Sequence, residues 1–213
     1  MGTKHPVIQL ALDTISQHDC VKIIQECLEH IDIVEIGTPC IKYNGHKLLE
    51  QVINISCGKP VLVDLKTMDA GSYEADPFYR MGADICTVLG TASKETIQGV
   101  AETAKKHKKR SQVDLINVVN KKDVAQDAGN LGIDIIGIHT GIDAQNLGLT
   151  PFQDLKEIAV LNLGKIISVA GGINQETAPL AIELGADIIV VGGAITGSDQ
   201  PGKIAARIRQ SIQ

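Results

Sequence analysis

The stretch Pro60-Val61-Leu62-Val63-Asp64-Leu65-Lys66-Thr67-Met68-Asp69-Ala70-Gly71 decides how the rest of the chain is read. An apolar run opens into a charged segment, the pattern of a buried strand that ends at a polar rim. Side chains alternate across a strand, so Asp64 and Lys66 share one face and Val63 and Leu65 the other. A carboxylate and an ammonium at the end of a buried strand are costly unless they are paired or given a ligand. Asp69 lies three residues beyond Lys66, past the strand, where it could equally cap the next helix. Taken alone, the stretch also fits a structural ion pair.

Working outward, the same pattern recurs. Apolar runs ending in Asp, Glu, His or Gly occupy Val7–Asp13, Ile31–Gly37, Val61–Lys66, Asp84–Gly90, Ser111–Asn117, Asp134–His139, Lys165–Ala170 and Asp187–Gly193. They recur at roughly twenty-five-residue intervals with helical segments between them, the arithmetic of βα units on a parallel sheet. Gly82-Ala83-Asp84, Gly132-Ile133-Asp134 and Gly185-Ala186-Asp187 read as helix C-cap glycines turning into the next strand. No linker divides the units, so residues 1–213 are expected to form one α/β domain, a closed (β/α)8 TIM barrel. A doubly wound open sheet is the structural alternative. Ser16–His30 carries a helical stripe at Val21, Ile24 and Leu28, and Lys94–His107 is similar. Asp76-Pro77 interrupts the segment after the third run, so that helix is expected to start at Asp76.

Composition narrows the function. The chain is 44% hydrophobic and 21% charged, as expected of a soluble domain. Its net charge of −5 and 2% aromatic content argue against nucleic acid as a partner. The basic run Lys105–Arg110 is read as a solvated helix end. No apolar run is long enough to span a bilayer, and Lys4 and His5 argue against a leader peptide. Cys20, Cys27, Cys40, Cys57 and Cys86 form no CxxC pair and suit free thiols in the cytoplasm, mostly as small apolar fillers.

Catalytic groups of a parallel barrel gather at the C-terminal ends of its strands. Here those ends carry Asp13, Glu35, Asp64 with Lys66, Asp114 and His139. Their apolar neighbours Leu12, Val34, Ile36, Leu65, Val113, Leu115 and Ile138 would face the helices. Several carboxylates around one Lys repel one another unless a cation joins them, and an oxygen-rich set suits Mg²⁺. With Lys66 and His139, such a site could stabilise an enediolate while a base moves a proton. Each residue has a plainer role open to it: Glu35 as partner of Lys66, Asp13, Thr14 or Ser16 as a helix cap, Asp114 as a loop acceptor, and His139 as a hydrogen-bonded structural residue. What weighs against these is the common register of the polar set. Ala170-Gly171-Gly172-Ile173 and Gly192-Gly193-Ala194-Ile195-Thr196-Gly197 end the last two runs, where such barrels often hold phosphate on backbone N–H groups, although glycines there could simply make tight turns. A phosphorylated substrate is expected, its reactive end near Asp64, Lys66 and His139.

Asp64, Lys66 and Asp69 form the D-x-K-x-x-D pattern, and the chain resembles the orotidine-monophosphate decarboxylase suprafamily. The resemblance extends to Ala11-Leu12-Asp13, Val34–Thr38, Asp64–Gly71, Val113–Val118, His139-Thr140-Gly141, Ala170–Gly172 and Val191–Gly197. These motifs are similar to the branch that condenses D-ribulose 5-phosphate with formaldehyde, reversibly, to D-arabino-hex-3-ulose 6-phosphate. The resemblance implies Mg²⁺, or Mn²⁺, held by Glu35 and Asp64. It implies Lys66 at the enediolate, His139 as the acid/base, and substrate binding by Asp13 and Asp114. Phosphate would meet the backbone at Gly171, Gly172, Gly192, Gly193 and Ala194. It also implies a homodimer in which Asp69 completes the partner's site. The decarboxylase branch acting on 3-keto-L-gulonate 6-phosphate carries Glu at the position of Asp114 and Arg at those of Ile142 and Ala194, which argues for the aldolase branch. A non-catalytic sugar-phosphate-binding barrel is the alternative of another class.

Overall fold

The computed structural model describes residues 6–213; residues 1–5, on which the expectation of no leader peptide partly rests, lie outside the described residues. Eight strands appear where the apolar runs place them: β1 (Val7–Leu12), β2 (Ile33–Ile36), β3 (Val61–Thr67), β4 (Ile85–Leu89), β5 (Arg110–Asp114), β6 (Ile135–His139), β7 (Ile166–Ala170) and β8 (Ile188–Val191). They pair in sequence order and β8 closes on β1, every pairing parallel. The open doubly wound sheet is thereby excluded. The helices are α1 (Gln17–Cys27), α2 (Thr38–Asn44), α3 (Lys47–Ile55), α4 (Gly71–Arg80), α5 (Lys94–Lys106), α6 (Lys121–Asn130), α7 (Ile142–Gln145), α8 (Phe152–Ala159), α9 (Ala178–Glu183), α10 (Gly193–Thr196) and α11 (Pro201–Ser211).

Alternation along the strands builds two cores. Leu10, Leu12, Val34, Ile36, Val63, Val113 and Ile138 pack outward against the helices. Ala11, Ile33, Leu62, Ile85, Ile135, Ile188 and Val190 fill the barrel. Above that inner plug the inward positions turn polar, which confines the site to one end.

The opposite end is fastened by a repeated device. The Asp32 carboxylate accepts from Ile8 N (2.8 Å), Asp84 from Val61 N (2.9 Å), Asp134 from Ser111 N (2.9 Å) and Asp187 from Ile167 N (2.9 Å). Each even strand is therefore preceded by an Asp that binds the start of the odd strand before it. Gly82, Gly132 and Gly185 take φ of +106, +98 and +103°, the left-handed C-cap the sequence suggests. Arg209 of α11 binds Pro6 O (2.9 Å), His30 O (3.2 Å) and the Asp32 carboxylate, docking the last helix on the first βα unit.

Four expectations need correction. The helix after β3 begins at Gly71, not Asp76, and Pro77 sits inside it. The bond Pro77 cannot donate would have gone to the carbonyl of Tyr73, an exposed residue, so water can replace it. In α1 the buried stripe is Cys20, Ile23, Ile24 and Cys27; Val21 and Leu28 are only half-buried, and a 3₁₀ turn at Leu28–His30 takes over. β5 ends at Asp114 because Leu115–Val118 forms a turn, with Asn117 at φ +57°. The basic run is not simply solvated: His107 and Lys106 reach Asp76, Lys109 pairs with Asp84, and Arg110 opens β5.

Four cysteines are buried fillers and Cys57 is exposed. Cys20 on α1 and Cys40 on α2 bring their sulfurs to 3.4 Å. No helix among the described residues is long and apolar enough to cross a membrane.

Candidate active site

The polar mouth is a narrow cleft lined by Glu35, Asp64, Lys66, Gln112, Asp114 and His139 with smaller residues from β6 to β8. Its centre is the Lys66 ammonium, which donates to Asp64 Oδ2 at 2.6 Å and to Asp114 Oδ2 at 2.7 Å. His139 Nδ1 meets the same Asp114 oxygen at 2.9 Å. An ionised carboxylate only accepts, so Nδ1 carries the proton and Nε2 is left as the basic ring nitrogen. Asp114 Oδ1 accepts from Ile116 N at 2.9 Å. The carboxylate thus fixes three donors at once.

This chain of bonds needs an irregular strand. The β3–β4 register shifts between Val63 and Thr67, and Lys66 takes φ +48°, a left-handed conformation unfavourable for a lysine. The Thr87 hydroxyl holds the bulge: it accepts from Lys66 N (2.9 Å) and donates to Asp64 Oδ1 (2.7 Å). Thr38, at the start of α2, donates to Asp64 Oδ2 (2.6 Å) and to its carbonyl (3.0 Å). Asp64 is therefore held from three sides. The Lys66–Asp64 pairing is as alternation suggests, but a bulge sets its final geometry.

Glu35 is buried beside Asp64, and Gln9 Nε2 donates to its Oε2 at 2.6 Å. Loss of water, then the negative charge of Asp64, raises its carboxyl to about 8, with Gln9 and Lys66 acting the other way. Asp13 stands at the rim, open to the mouth yet enclosed on its protein side. Loss of water and then Asp64 raise its carboxyl too, against Lys66 and His139. Burial also disfavours charge on Asp114, but His139 and Lys66 outweigh it and hold the carboxyl down at about 2. Burial disfavours the charged Lys66, yet Asp64 and Asp114 raise its pKa above the ordinary lysine value. Asp13, Glu35 and Asp64 thus repel one another within one wall of the cleft. An all-oxygen set of this kind is one that a divalent cation would join, offsetting the charge on its carboxylates. Among the described residues no group of three acidic, His or Cys side chains forms a complete metal cage. Two carboxylates, Glu35 and Asp64, fit Mg²⁺, which often takes one or two from the protein and the rest from substrate and water.

The β7 and β8 loops form the other wall. Gly171 and Gly172 have φ of +109 and +71°, and a Cβ on Gly171 would come within 2.4 Å of Thr140 O. Asn174 Oδ1 folds this loop by accepting from Glu176 N and Thr177 N (2.9 and 3.0 Å). Gly193 and Ala194 open α10, where first-turn N–H groups have no helical acceptor, and nothing lies within 4 Å of where a Cβ on Gly193 would be. Gly192 is backed by Asp13, whose Oδ2 is 3.5 Å from its Cβ position.

The structure brings Glu35, Asp64, Lys66, Asp114 and His139 together around the cleft, with Asp13 at its edge. It does not bring in Asp69. That residue is exposed on the loop after β3 and accepts only from Ala70 N (2.7 Å) among the described bonds; α4 has no side-chain cap. The plainer role for Asp13 also fails, since Ser16 caps α1 through Asp19 N (3.2 Å). Lys66 pairs with Asp64 and Asp114, not Glu35. Sequence reasoning missed Gln9, Thr38, Thr87, Gln112 and Ser168. Gln9, Gln112 and Ser168 lie on the same strand parity as Asp13, Asp114 and Ala170, and that parity could have found them. Thr38 and Thr87 carry no such mark.

The model of the Orotidine 5'-phosphate decarboxylase / HUMPS family matches residues 6–208. A 3-hexulose-6-phosphate synthase of Methylomonas aminofaciens is 50% identical over 200 residues, 94% of this chain and 96% of that protein. One from Bacillus subtilis (strain 168) is 38% identical over 205 residues, 96% of this chain and 98% of that protein. The crystal structure of 3-hexulose-6-phosphate synthase from Salmonella typhimurium superposes with a TM-score of 0.93 at 33% identity, covering 97% of this chain and 98% of that one.

Proposed function

The chain belongs to the orotidine 5'-phosphate decarboxylase / HUMPS family, and on that footing we propose that it catalyses 3-hexulose-6-phosphate synthesis, the aldol condensation of D-ribulose 5-phosphate with formaldehyde. It is an aldehyde-lyase whose reaction runs in both directions. The observation that carries this reading is the linked set Asp64–Lys66–Asp114–His139 at the barrel mouth, with bonds of 2.6, 2.7 and 2.9 Å.

His139 Nε2 takes the C1 proton next to the ketone of ribulose 5-phosphate, and Asp114 stabilises the imidazolium that forms. The Lys66 ammonium faces the enediolate oxygens and offsets their charge. C1 of the enediolate attacks the formaldehyde carbon, forming the new C–C bond. The aldehyde oxygen becomes an alkoxide and takes its proton from the His139 imidazolium, which restores the base. Glu35 and Asp64 would hold Mg²⁺, or Mn²⁺, which would supply Lewis-acid charge to stabilise the enediolate. Asp13 binds sugar hydroxyls at the rim. Backbone N–H groups at Gly171, Gly172, Gly192, Gly193 and Ala194 cradle the phosphate, and Ile142 and Ala194 supply no guanidinium there.

The chain works as a homodimer. The support is Asp69, displayed outside its own cleft on a loop with exposed Met68 and Tyr73 beside it. It reaches the cleft of the second copy. Five free thiols suit a cytoplasmic setting.

The test is formaldehyde consumption by purified protein with ribulose 5-phosphate and Mg²⁺. EDTA-sensitive consumption with a hexulose 6-phosphate product is expected. Consumption by neither wild-type protein nor Mn²⁺-loaded protein would overturn the reading.

A further inference from the structure

We propose that Gln112 and Ser168 form the docking notch for the one-carbon electrophile, formaldehyde, beneath the reacting end of the sugar phosphate. The proposal rests on the aldol reading of the same cleft and adds residues to it.

Gln112 precedes Asp114 by two residues on β5, Gly137 precedes His139 on β6, and Ser168 precedes Ala170 on β7. The three therefore lie one inward layer deeper than the proton-transfer groups, and all three line the same cleft. Gly137 contributes no side chain. A Cβ on Gly137 would stand 2.9 Å from both Gln112 Nε2 and Val113 O and 3.4 Å from Ser168 Oγ, so the bare glycine lets these two side-chain groups close in on the floor of the cleft. Two neutral donors thus converge at the floor, close to Lys66 and His139.

The Gln112 carboxamide is the unusual member. The residue is 8% exposed, and its Oε1 is fully buried with no hydrogen-bond partner. An unpaired buried amide oxygen is costly, and an apolar side chain of the same size would avoid the cost. No protein acceptor or donor locks this amide, so it can turn about its broad terminal torsion. That freedom matches what the aldehyde oxygen requires. Before and during C–C bond formation that oxygen is an acceptor, first carbonyl and then alkoxide, and the Nε2 donor serves it. After protonation it is a hydroxyl, and Oε1 can accept from it. Ser168 supplies the second donor. The notch is small because Val190 lines its side and the inner apolar plug, with Ile135 and Ile188, closes the barrel.

The experiment uses the full-length protein with Mg²⁺ and compares wild type with Gln112→Leu and Ser168→Ala. C1 hydrogen–deuterium exchange of ribulose 5-phosphate, without formaldehyde, reads enediolate formation. Condensation at subsaturating formaldehyde reads capture. The ratio of condensation to exchange is expected to fall about tenfold or more in Gln112→Leu and severalfold in Ser168→Ala, with the KM for formaldehyde rising. A ratio within twofold of wild type in both variants would overturn the notch and leave the aldol reading standing. Exchange absent from wild type would overturn both. Gln112→Leu removes a buried orphan oxygen, so it should melt no lower than wild type. Were it nonetheless misfolded, Ser168→Ala decides the matter.

Discussion

Glu35 and Asp114 are two buried carboxylates pushed in opposite directions. Glu35 has no ion pair among the described residues and is raised to about 8, so a metal held as proposed would have to displace a proton from it below that pH. Apparent Mg²⁺ affinity should therefore climb up to tenfold per pH unit towards about 8 and then level. Calorimetry in buffers of different ionisation enthalpy should detect the released proton, and Glu35→Gln should abolish both the release and turnover. A pH-independent affinity would remove Glu35 from the metal site. Asp114 has a carboxyl that His139 and Lys66 hold down at about 2, below the ordinary aspartate range. A group of this kind stabilises the fold above the unfolded pKa and loses that contribution as pH falls through the folded one. The loss, about 2 kcal/mol, should fall between about pH 4 and pH 2. Asp114→Asn should flatten that limb in acid denaturation followed by circular dichroism. At this scale the charged set was legible because charge on a buried strand is conspicuous. Thr38 and Thr87 were not, since hydroxyls are common in loops and strands and only the folded chain sets them against Asp64.

At the scale of the elements, the eight apolar runs sufficed to place all eight strands, because a two-sided buried strand leaves a continuous apolar signature. Two local features escaped. Pro77 looked like a helix start, but packing of Ala75 and Tyr79 carries α4 through it. The β3 bulge left no mark, since the left-handed residue is Lys66 rather than a glycine. The Gly-x-Asp repeats were read for their glycines, while the Asp side chains have their own task. Asp134 accepts from both Ser111 N and Ser111 Oγ at the end remote from the cleft. Asp134→Ala should therefore cost about 1–3 kcal/mol in urea unfolding, through the donors it leaves unpaired. The kcat should stay at the wild-type value. An equal loss of kcat would show that the two ends of the barrel are not independent.

For the molecule as a whole, the proposed dimer turns on Asp69, exposed outside its own cleft. If each cleft uses Asp64 of its own chain and Asp69 of the partner, Asp64→Asn and Asp69→Asn variants are separately inactive but complementary. Unfolded together and refolded at equal amounts, they form mixed dimers with one intact cleft each. About a quarter of wild-type activity should return, since half the dimers are mixed and half of their clefts are whole. No recovery would refute a shared cleft. The sequence pattern exposed Asp69 as part of a motif, yet only the fold shows it turned away from Lys66.

The Asp carboxylates at the starts of β1, β3, β5 and β7 also set where this barrel breathes. The amides of Ile8, Val61, Ser111 and Ile167 are held by side chains as well as protected by neighbouring strands. Their hydrogen exchange should require global opening. The loops over the cleft, folded by short local bonds such as those of Asn174, should exchange through small excursions far below that limit. That pattern of exchange would make the molecule a cup with a fastened base and a supple lip, able to admit and release substrates without loosening its foundation.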